Sequence, residues 1–66
     1  MNIPGFTTPT LIEFHTKVRE CLAKDDANPN PQKIYEVRSQ SDWRQLSDSI
    51  EVELTTREEP FEPIQW

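Results

Sequence analysis

A chain of 66 residues with one cysteine and one histidine has no staple to lean on. Cys21 cannot close an intrachain disulfide, and Cys21 with His15 are too few soft or imidazole ligands for a structural transition-metal site. A domain this short buries only about 60% of the surface of its unfolded chain. Without cross-links, such a chain depends on efficient packing or on association. The sequence is therefore read as one small domain, residues 1–66, whose core is completed by its own extremities or by a partner, another copy included.

Helices supply most of that core. Thr8 can cap a helix from about Pro9 to Lys24, and Pro9 falls in the first turn, where its missing N–H costs nothing. Leu11, His15, Val18 and Leu22 follow at spacings of four, three and four and form one stripe, which Phe14, Cys21 and Ile12 widen. On the other side Glu13 precedes Lys17 and Glu20 precedes Lys24, both acid first and base four later. The run Asp25 to Lys33, with Asn28, Pro29, Asn30 and Pro31, cannot prolong a helix and is expected to be a connector.

Beyond the connector, Ile34, Tyr35 and Val37 favour β structure over residues 33–38, long enough only for a short extended or β segment. Such a segment needs an edge to pair with. Ser41 and Asp42 then open a second helix to about Arg57, with Trp43, Leu46, Ile50 and Leu54 on one side and small Ser47 permitting close approach. The competing reading is a strand over 49–56, because Ile50, Val52 and Leu54 alternate with Glu51 and Glu53. The helix is preferred, since only Val52 falls on the wrong side, exposed among acids. The fold class expected is mainly α, a two-helix, αα-hairpin-like unit; the alternative is α+β with the strand at 49–56.

Pro60 and Pro63 forbid a regular helix near the end, so residues 60–66 should be extended. Yet they carry Phe61, Ile64 and Trp66, each worth about 1.5 to 3 kcal/mol when buried. The tail should therefore dock, across the two helices or on a neighbouring copy. Phe61, Ile64, Trp66 and Val52 are the candidate interface residues.

The net charge is −5 and its excess lies in one half. Residues 1–33 hold four acids and four bases, whereas residues 34–66 hold eight acids and three bases. Nucleic-acid binding, which draws on basic patches, is not expected. Glu51, Glu53, Glu58 and Glu59 form a candidate acidic face that is either a solvated surface or a mimic of a polyanion. No apolar run approaches the roughly 20 residues of a membrane span, and residues 1–10 lack a signal-peptide pattern, so a soluble, cytoplasmic protein is expected.

Catalytic chemistry has little to start from. His15 lies inside an apolar stripe and reads as a packed, hydrogen-bonded histidine, and Cys21 lies roughly 9 Å further along the helix and about 120° round it, out of reach of a paired role. Asp25, Asp26, Asn28 and Asn30 are oxygen-rich but lack the alternating acids, central glycine and terminal glutamate of a calcium loop. No enzyme, cofactor, metal site or small-molecule substrate is therefore expected. The function expected is a protein-interaction or structural module that self-associates; the alternative is an acidic inhibitor or nucleic-acid mimic, of the kind phages and mobile elements carry, that binds a basic protein surface.

Overall fold

The computed structural model describes residues 2–66, and its elements are a 3-10 turn at Ile3–Gly5, helix α1 at Thr8–Ala27 and helix α2 at Ser41–Thr56. Helix α1 begins one residue earlier than the capping pattern predicts. Thr7 is the N-cap, with extended backbone, and its Oγ1 accepts the N–H of Thr10. Pro9 lies within the first turn, where no intrahelical donor is missed. The helix also ends later, at Ala27. Asp25 prolongs the buried stripe of Leu11, His15, Val18 and Leu22 by one further step of three.

Residues 49–56 are helical, part of α2. Val52 is 67% exposed, as its off-stripe position requires. Ser47 is fully buried and turns its hydroxyl back onto the carbonyl of Arg44, so a small residue lies where the helices approach. The two helices run antiparallel: Thr8 at the start of α1 meets Arg57 just beyond α2, and His15 in mid-α1 meets Glu51.

The short strand expected over residues 33–38 does not form, and no strand is present among the described residues. The cause is Asp25. Its buried carboxylate accepts the N–H of Tyr35 at 3.1 Å and of Val37 at 3.0 Å, the donors a strand would have offered to a neighbouring edge. Asn28 and Asn30 similarly accept the N–H groups of Asn30 and Gln32, giving two successive Asx turns. The connector is thus fastened by side chains, and it delivers Val37 to the core.

The overall dimensions are 38 × 21 × 16 Å. A helix with its side chains is about 10 Å across, so the thin direction holds one helical layer plus what is strapped over it. One apolar cluster joins Leu11, Ile50 and Leu54, with Ile3, Phe6, Phe14 and Phe61 packed against it. The other joins Val18, Leu22, Val37 and Ile64, edged by Cys21, Tyr35, Trp43 and Trp66. Leu46 touches both. Each cluster therefore needs a terminal segment to close it.

Candidate functional site

Between the two clusters lies one polar junction. His15, buried, donates from Nε2 to Glu51 Oε2 at 2.8 Å, and the same oxygen accepts the backbone N–H of Ile64 at 3.2 Å. Phe61 closes over the imidazole edge-on, with ring centroids 5.8 Å apart. One carboxylate thus ties α1, α2 and the tail together. His15 is 4% exposed, so the pair lies inside the packing between the two helices and the tail.

The tail is docked on its own chain. Ile64 is buried, while Phe61 and Trp66 are half-buried. Arg19 donates to the carbonyl of Glu62 and Arg38 to that of Trp66, and the Arg44 guanidinium lies 5.6 Å from the centre of the Trp66 ring. Arg38 also makes a two-pronged pair with Asp26, both bonds 2.9 Å. That hydrogen bonding holds the Asp26 carboxyl below the usual carboxylate range and pushes the Arg38 guanidinium up. Sequence reasoning singled out none of these arginines.

Arg57 does the same for the other extremity. It reaches Glu53 Oε2 at 2.8 Å, the Thr8 hydroxyl at 3.0 Å, and the carbonyls of Pro4 and Phe6 at 3.2 and 2.7 Å. All four arginines of the chain are thereby committed to holding its two terminal segments.

This divides the four glutamates of the candidate acidic face. Glu51 and Glu53 point inward to His15 and Arg57 and are half-buried, so they do not form a free array. Glu58 and Glu59 remain, and with Asp42 and Asp48 they have no cationic partner within 4 Å among the described residues. Of the candidate interface residues, Ile64 and Phe61 are covered intramolecularly, Trp66 is edged by Arg44, and Val52 alone stands in solvent.

Val52 forms a ridge on the outer face of α2 with a shallow depression on each side. One, of about 410 Å³, runs between Asp48, Thr55 and Phe61; the other, of about 440 Å³, runs between Asp48, Ser49, Ile3 and Pro4. Both are open troughs with apolar floors and acidic rims. No cluster of three or more histidine, cysteine, aspartate or glutamate side chains able to hold a metal ion occurs among the described residues. No helix among them is long and apolar enough to cross a membrane.

No family model matches the chain, and neither a curated protein nor a solved structure matches it.

Proposed function

We propose that this protein is a non-catalytic, cytoplasmic interaction module that docks the outer face of α2 on a basic protein surface. The observation that carries this reading is the division of charge. Every arginine serves the chain's own termini, whereas Asp48, which lines both troughs beside the exposed Val52 ridge, has no cationic partner within 4 Å among the described residues. A cationic partner with apolar side chains straddling Val52 would find two acid-rimmed troughs. Electrostatic complementarity of this kind steers encounter and fixes register, and the apolar floor supplies affinity. The commitment of His15 to Glu51 supports a non-catalytic role.

Pairing of two copies through this face is opposed by the like charges of their Asp48 carboxylates. The docking of Phe61 and Ile64 within the chain also removes the need for a second copy to cover them.

The test is affinity capture from a cell extract with the wild-type protein and with the double variant Asp48→Asn, Val52→Ser, both surface changes that leave the core intact. The reading expects a basic partner, held by the wild type, released by raised salt and lost with the double variant. Capture unchanged by the double variant would refute it.

A further inference from the structure

The C-terminal tail is attached in an unusual way for a segment that completes a core. Beyond Glu59, its one backbone donor with a partner is the N–H of Ile64, and that partner is a side chain, Glu51. Its engaged carbonyls, of Glu62 and Trp66, are held by Arg19 and Arg38. No ladder of backbone bonds ties it to α1 or α2. Its hydrogen bonds and the Arg44–Trp66 contact run to side chains of α1, α2 and the connector, a seat that a chemically identical tail would fit equally well.

The hinge that would permit this is strained in the closed state. Glu58 has φ 59°, the left-handed region in which glycine is the ordinary occupant. It is held there by a Schellman arrangement, with the Glu59 N–H on the Leu54 carbonyl at 2.9 Å and the Glu58 N–H on the Thr55 carbonyl at 3.0 Å. Pro60 follows, so Glu59 is confined to extended backbone and the direction of the tail is set by Glu58 alone. Glu58 and Glu59 also bring negative charge to the negative end of the α2 dipole, where the one cation, the C-cap Arg57, is engaged by Glu53 and the N-terminal carbonyls. Turning Glu58 to an extended conformation would exchange the two Schellman bonds for water and relieve the left-handed strain, sending the tail away from its own seat.

We propose that residues 59–66 are an exchangeable strap, and that the seat between α1 and α2 accepts the tail of a second copy of this chain to give a two-fold, reciprocally exchanged dimer. The occupant is set by identity of contacts: Ile64 on Val18, Leu22 and Val37, its N–H on Glu51, and Trp66 under Arg44 recur unchanged across the interface. Short hinges under strain favour such exchange. A left-handed non-glycine residue disfavours the closed hinge about 5-fold, and two hinges per dimer make about 25-fold. Against an intramolecular effective concentration on the order of millimolar, the exchanged dimer should emerge in the range of tens of micromolar. The inference goes beyond the α2 docking face and does not rest on it.

Light scattering from micromolar to millimolar protein tests it, at moderate salt to screen two chains of net charge −5 and after warming to let tails open. The wild type should pass from one to two protomer masses with unchanged helical circular dichroism. Glu58→Gly, which suits the left-handed hinge, should remain folded and move that transition about 25-fold upward in concentration. The Asp48→Asn, Val52→Ser variant should leave it in place. A wild type that stays monomeric to millimolar concentration overturns the proposal, as does a dimer indifferent to Glu58→Gly. Loss of the dimer in the α2-face variant would identify a different interface and overturn it as well.

Discussion

Glu51 Oε2 accepts two hydrogen bonds from donors that have little access to water, His15 Nε2 and the Ile64 N–H. Removing it strands both, and leaving a buried donor unmade costs about 1 to 3 kcal/mol. Glu51→Ala is expected to destabilise the fold by about 3 kcal/mol in chemical denaturation, and Glu51→Gln, which keeps an acceptor oxygen, by distinctly less. Asp25 has the same standing in the connector, where its two oxygens hold Tyr35 and Val37. Asp26 supplies the pH dependence. Its carboxyl is held low by Arg38, so its contribution is complete above the ordinary carboxylate value of 3.8 and fades as the pH falls below it. Comparing the thermal midpoint of Asp26→Asn with that of the wild type should give a gap that is constant near neutrality and closes in acid. At this scale the sequence is half legible. Asp25 continues the 4, 3, 4 stripe of α1 by a further three, and Glu53 precedes Arg57 by four, so both roles are written in spacing. The meeting of Glu51 with His15, 36 positions away, has no local signature.

The two helices are the elements that periodicity specifies, and α2 survives the competing strand reading for a physical reason. Strand-like alternation over 49–56 gives way because Trp43, Leu46, Ile50 and Leu54 share a helical face that has α1 to pack on. The segment 33–38 shows the converse: β-favouring residues do not make a strand when a buried aspartate has already taken their donors. Propensity describes a residue's fit to a pleated surface, and no such surface is present. The end of α2 breaks the usual rules, with glutamate in the left-handed cap position and acids at the negative end of the helix. Glu58→Gly should therefore stabilise the monomer by about 1 kcal/mol, read as a raised thermal midpoint. The other end of the molecule depends on Arg57. Arg57→Ala frees the carbonyls of Pro4 and Phe6 and should cost about 2 kcal/mol, with loss of protection in the amides around Phe6.

At the scale of the whole molecule, two antiparallel helices leave one cluster open at each end, and the chain closes them with its own extremities. Ile3 and Phe6 pack against Leu11, Ile50 and Leu54; Ile64 joins Val18, Leu22 and Val37. That a greasy tail must dock was readable from Pro60, Phe61, Pro63, Ile64 and Trp66. What it docks on was not, because the seat combines residues from α1, the connector and α2. The arginines that fasten both extremities leave an acidic surface behind them, and this is the link from packing to the proposed docking face.

The direct measurement of that closure is a nuclear Overhauser spectrum of the protein at low micromolar concentration, below the range of tail exchange. Cross-peaks from the Ile64 side chain to Val18 and Leu22, together with a slowly exchanging Ile64 amide, are the predicted result. Random-coil shifts for residues 60–66 in a folded, monomeric protein would contradict the account.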